Sequence, residues 1–126
     1  MSEPLFHIAP AAAWAKSVGP YTPAEFERDG FVHCSTQSQV IQVANTLFHG
    51  RSDLVLLMID ANAIEAPVRY ENLSGGSELF PHVYSSLPRE SIVAVEPLEL
   101  RSDGSFEPMS VERCVLRKRG GVRRSP

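Results

Sequence analysis

The 126-residue chain, 43% hydrophobic and 21% charged, is the size and composition of one folded domain rather than a disordered or multidomain protein. No apolar run approaches the roughly 20 residues a membrane helix needs, and the start, Met1-Ser2-Glu3-Pro4, lacks the basic and apolar stretches of a signal peptide. The net charge of -3 conceals an acidic body, because Arg113, Arg117, Lys118, Arg119, Arg123 and Arg124 supply half of the 12 Lys and Arg residues; this body argues against a nucleic-acid binder, except through the basic end of the chain. The two cysteines, Cys34 and Cys114, make neither a disulfide framework nor a metal-finger spacing, which points to a reducing cytoplasm.

In chain order, residues 4–8 predict a short strand containing His7. Pro10 at a first helical position and the helix formers of Ala11-Ala12-Ala13-Trp14-Ala15-Lys16 predict a short helix that stops at Gly19. Thr22-Pro23-Ala24-Glu25 signals a second short helix ending at Asp29-Gly30. Phe31 to Cys34 reads as a strand containing His33. Ser35 or Thr36 is expected to cap the main helix, in which Val40, Ile41, Val43, Ala44, Leu47 and Phe48 share one face and Gly50 marks the end.

The run 54–59 predicts a central strand covered on both faces. Residues 68–71 predict an edge strand, followed by a glycine loop at 72–77. Residues 79–84 predict another strand, with Pro81 arguing for an edge or a bulge. After a turn at 87–90 come a strand from Ile92, a last strand between Phe106 and Leu116, and a basic, disordered tail over 117–126. The domain therefore spans 1–116, and the class is α+β, with several short strands, one main helix and one or two small ones.

Three of the four histidines thus fall in strands, where an imidazole is held firmly and titrates near neutral pH. Strand alternation separates His33 from Cys34 and assigns Cys34 to the core. A helix start beside His33, with Ser35 and Thr36, would suit a phosphate. Alternation also pairs Arg69 with Glu71 on one face, and His82 with Tyr84 on one face. If the two strands pair, this group could bind a phosphate, carboxylate or sugar hydroxyl; its bland alternative is an exposed ion pair beside an aromatic edge. Zinc held by His7, His33 and His82 is conceivable but has no spacing signal, so no metal is assigned. His49 fits a helix C-terminus, and Trp14 a half-buried core position.

The segments Leu5-Phe6-His7-Ile8-Ala9, Asp29-Gly30-Phe31-Val32-His33-Cys34-Ser35-Thr36, Asp53 to Asp60, Arg69-Tyr70-Glu71 and Leu79-Phe80-Pro81-His82-Val83-Tyr84, with Trp14, Gly19-Pro20-Tyr21 and Gln39-Val40, resemble the small bacterial family called domain of unknown function 952. The resemblance covers about residues 5–99, with Ser85 where the family commonly has glycine. It implies kinship with the ADP-ribosyltransferase superfamily, including its RNA 2′-phosphotransferase branch. The implied fold is two small, mainly antiparallel sheets forming a cleft. The implied activity is glycosidic cleavage or ADP-ribosyl transfer, including transfer coupled to phosphate removal, with NAD as cofactor.

On that resemblance His7 would hold a ribose or phosphate, and His33 would contact the reacting ribose or ring. His82 stands where a transferase carries glutamate; Glu71 or Glu78 would have to supply the negative charge. Ser35, Thr36, Arg69 and Tyr84 complete the expected ligand contacts. The alternatives are a nucleotide-binding module without turnover and a zinc-dependent hydrolase. The implied partner is a small nucleotide ligand, with no membrane; the sequence leaves oligomeric state open.

Overall fold

The computed structural model describes residues 3–123, with side chains through Arg117. In chain order the elements are β1 (Leu5–Pro10), α1 (Ala11–Lys16), α2 (Phe26–Asp29), β2 (Val32–His33), β3 (Ser35–Thr36), α3 (Val40–Leu47), β4 (Leu54–Ile59), β5 (Val68–Glu71), β6 (Phe80–Val83), β7 (Ile92–Pro97) and α4 (Met109–Arg123). They form an α+β architecture with two antiparallel sheets, ordered β3-β1-β4-β7 and β2-β6-β5.

β4 explains the layering. Its six residues are all apolar, so both faces need cover. Leu54, Leu56 and Met58 pack with Phe6 of β1, Val40 and Ala44 of α3, and Val111 and Cys114 of α4. Leu57 and Ile59 face the other way, into a second core with Leu5, Val32, Cys34, Val83 and Leu87. Each fully buried leucine in such a layer contributes about 1.5–3 kcal/mol. The layers therefore run from α3 and α4, through the four-stranded sheet, to the three-stranded sheet.

The two sheets share one stretch of chain. β2 and β3 are separated only by Cys34; β2 pairs with β6, while β3 pairs with β1. Beyond Phe6, β1 diverges from this stretch and a fork opens. His7 stands at the fork, on the side of β1 that carries Leu5 and Ala9. Its Nδ1–H donates to the main-chain carbonyl of His33 at 2.7 Å. A side chain thus supplies the bond that a paired strand would have made there.

Several sequence expectations are corrected. Pro10 ends β1 in extended conformation and precedes the first helical residue. Ser35 and Thr36 are strand, and Gln39 occupies the cap position of α3. Pro81 lies in the central strand of its sheet, not at an edge. That position is tolerated because β2 ends there: the Cys34 N–H donates to the Pro81 carbonyl at 3.0 Å, and proline has no N–H to return. The expected last strand is helix α4. Val111, Cys114 and Val115 recur at helical spacing and lie against the core, while Ser110 accepts from the Glu99 N–H.

Two of the terminal cations are also used inside the fold. Arg113 lies 3.0 Å from Glu99, and Arg117 pairs with Glu96 of β7. The backbone is helical through Arg123, where the sequence predicts a disordered tail; residues 124–126 lie outside the described part. Among the described residues no helix is long and apolar enough to cross a membrane.

Candidate functional site

The three-stranded sheet sets one row of basic side chains across one face. His33 of β2 is directly opposite His82 of β6, and His82 is directly opposite Arg69 of β5. The preceding row, Val32–Val83–Val68, points into the second core. Alternation therefore turns His33, His82 and Arg69 to the face away from that core. Gly30, at φ 80°, ends α2 and returns the chain into Phe31. The Phe31 ring stacks on His82 with centroids 4.1 Å apart and planes at 22°. It also touches His33 at 4.7 Å and Tyr84 at 5.3 Å, so one buried phenyl ring is packed against all three.

A carboxylate fixes each imidazole. Asp29 Oδ2 lies 2.8 Å from His33 Nε2, and Glu71 Oε1 lies 2.9 Å from His82 Nδ1. The Tyr84 hydroxyl donates to the same Glu71 oxygen at 2.6 Å. Hydrogen bonds from Tyr84 and then His82 hold the Glu71 carboxyl below its usual range, and the carboxylate in turn raises the Tyr84 phenol. Arg28, and then His33, depress the Asp29 carboxyl. Both carboxylates are ionised and can only accept, so each bonded imidazole nitrogen carries a proton. Asp29 thus holds His33 through Nε2 and Glu71 holds His82 through Nδ1, so His33 Nδ1 and His82 Nε2 are left without a partner.

The rings lie 5.4 Å apart at 69°. Among the described residues Arg113 Nη2 is the one sealed side-chain nitrogen or oxygen without a hydrogen bond. The unpaired Nε2 of the otherwise buried His82 therefore reaches solvent. The Arg69 guanidinium lies 5.3 Å from the centre of the Tyr84 ring and makes no ion pair among the described residues.

His33, His82, Glu71, Arg69 and Tyr84 of the predicted set thus form one cluster. His7 does not join it. Its ring is on the core side of the fork, 6.0 Å from Tyr21, and touches His33 through the main chain only. Burial lowers the His7 pKa, so the ring is neutral at pH 7, with Nδ1 protonated and Nε2 unpaired. Ser35 and Thr36 are also elsewhere. Ser35 is buried opposite Phe6, while the Thr36 N–H donates to Gln39 Oε1 at 3.0 Å, closing the expected phosphate position. Glu78 accepts from Gln39 Nε2 at 3.1 Å rather than serving His82.

Cys34 is buried and its thiol is pushed up to about 12 by desolvation. Trp14 is half-buried, with the Arg89 guanidinium 4.0 Å over its ring. Among the described residues no three His, Cys, Asp or Glu side chains gather to hold a metal ion.

Sequence reasoning missed Asp29 and Phe31. Both had a signal: Phe31 is two residues before His33, hence on the same strand face, and Asp29 is four before it across a Gly30 turn. Neither type, alone, points to chemistry.

The class is that of a small α+β protein with a histidine–carboxylate site on a three-stranded sheet. Residues 8–95 match the family described as Protein of unknown function (DUF952), and the chain belongs to that family. It is similar to protein CC0527 from Caulobacter crescentus. The crystal structure of that protein superimposes with a TM-score of 0.73 at 31% identity, covering 82% of this chain and 93% of that one. Its solution NMR structure gives a TM-score of 0.71 at 30% identity, covering 90% and 97%. No curated protein matches the chain.

Proposed function

We propose that this protein binds NAD or an ADP-ribosylated ligand and acts as an ADP-ribosyltransferase-type enzyme, with the Glu71–His82 pair at the reacting end. The observation that carries this reading is the position of Glu71. The histidine at position 82, where a transferase carries glutamate, cannot supply negative charge, and the Glu71 carboxylate, 2.9 Å away, does so from the neighbouring strand. The donor set suits the cofactor: Tyr84 offers an aromatic surface, an ionised carboxylate lies beside it, and Arg69 is an unpaired cation for a pyrophosphate.

When bound, NAD supplies a ribose–nicotinamide bond whose cleavage develops positive charge on the ribose. Glu71, kept ionised by its two hydrogen bonds, stabilises that charge. His82 is oriented by Glu71 and takes or gives a proton at Nε2. His33 contacts the ribose or ring. Saturation-transfer NMR with NAD and ADP-ribose, alongside a nicotinamide-release assay, tests this. Both ligands should show transfer, and Glu71→Gln should slow release by ~10²–10³-fold. No transfer from either ligand at millimolar concentration, with folded protein, overturns it.

A second reading, nucleotide binding without turnover, is favoured by the histidine at position 82. The wild type would then bind and release no nicotinamide, and His82→Ala would lose affinity alone.

A further inference from the structure

The row His33–His82–Arg69 has a property that ADP-ribosyl chemistry does not need. Two imidazoles on adjacent strands are each held by their own carboxylate, at Nε2 in one and Nδ1 in the other. Each leaves its second nitrogen unpaired, with rings 5.4 Å apart and an unpaired guanidinium on the next strand. We propose that His33 and His82 are a general acid–base pair for opening small cyclic phosphodiesters, the substrate class being ribonucleoside 2′,3′-cyclic phosphates. This inference requires no NAD and stands apart from the reading above.

Phosphodiester opening removes a proton from the entering oxygen and gives one to the leaving oxygen, around a single phosphorus that carries a negative charge. Two imidazoles with centroids 5.4 Å apart are close enough to serve the entering and leaving oxygens of one phosphorus seated across their edges, and Arg69 offsets the charge. Acyl transfer fits less well. It needs free N–H donors for an oxyanion, whereas His82 lies on β6, the strand paired on both sides within its sheet.

His82, enclosed against Phe31 with its Nδ1–H held by Glu71, is the base. His33, half exposed and paired with Asp29, is the acid and enters the step as the imidazolium, its Nε2–H held by Asp29 and its second proton on Nδ1. Water gives a proton to His82 Nε2 as its oxygen forms the bond to phosphorus. The bond from phosphorus to one ribose oxygen breaks, and that oxygen takes the Nδ1 proton of His33. The products are a phosphomonoester and a free hydroxyl, and proton exchange with solvent restores both rings.

The test uses the full chain with the four ribonucleoside 2′,3′-cyclic monophosphates, with chelator present and NAD absent, followed by 31P NMR. Turnover to a single monophosphate isomer is expected. The pH profile should be bell-shaped, set by His33 with Asp29 and Arg28 beside it, and by His82 with Glu71, Tyr84 and Arg69 beside it. His33→Asn and His82→Asn should each lower kcat by ~10²–10⁴-fold and remove one limb of the bell. His33 is exposed, so its variant keeps the test decisive if His82→Asn fails to fold. Absence of wild-type turnover overturns the inference, as does a His33→Asn rate within threefold of wild type. NAD binding without cyclic-phosphate turnover rejects this inference while leaving the ADP-ribosyl reading standing; the converse result separates them the other way.

Discussion

The two sheets divide the work. In the four-stranded sheet, β4 is clothed on both faces by aliphatic side chains, and nothing polar on it is available to a ligand. The three-stranded sheet commits only one face to the core, through Val32, Val83 and Val68. Its other face carries two imidazoles and a phenol packed around Phe31, with two carboxylates and a guanidinium beside them. The comparison teaches that rigidity and chemistry are assigned to different sheets, and that the fork at His7 is where one is fastened to the other.

Substitutions can break that division. The largest stability loss is expected in the doubly covered strand. Leu57→Ala should cost about 2–5 kcal/mol in urea unfolding, while circular dichroism under native conditions stays unchanged. His7→Phe comes next: it leaves the His33 carbonyl without its donor, at a cost of about 1–3 kcal/mol.

The same residue predicts a pH dependence. In the unfolded chain the imidazole takes up a proton below its ordinary value of 6.5, while folded His7, its pKa lowered by burial, stays neutral. The unfolded state then binds more protons, so stability falls as pH drops from 6.5 towards the lowered folded value. Unfolding curves at pH 7.5 and pH 5.5 should show this loss in the wild type and a smaller one in His7→Phe.

Gly30→Ala forces a side chain into φ 80° and should cost about 1 kcal/mol or more, with reduced activity because Asp29 and Phe31 flank that turn. A sharper probe moves stability little. Glu71→Gln should lower the Tyr84 pKa that the carboxylate now raises, visible in ultraviolet titration against a Tyr84→Phe control. Last, Arg51→Ala removes an exposed pair with Asp53 and should change stability by less than about 0.5 kcal/mol.

Much of this was legible from residue order because the signals are local. Six consecutive apolar residues marked β4, and helical spacing marked α3. Alternation put Glu71 with Arg69 and His82 with Tyr84, and the hairpin then joined them. What was not legible depends on partners distant in sequence. Ser35 and Thr36 look like caps until β1 is found beside them. Pro81 looks like an edge residue until it is clear that β2 stops opposite it. His7, His33 and His82 look like a trio by residue type alone, but the fork places one of them on the other side of the sheet.

The stretch from Val32 to Thr36 serves both sheets at once, and this ties their registers together. One residue inserted between them would rotate His33 inward or carry Ser35 away from Phe6, since successive side chains point to opposite sides. Neither half of the molecule could absorb the change alone. Length variation is therefore expected at the 72–77 loop and after Gly50, whereas these five positions act as a fixed ruler against which the imidazole spacing is set.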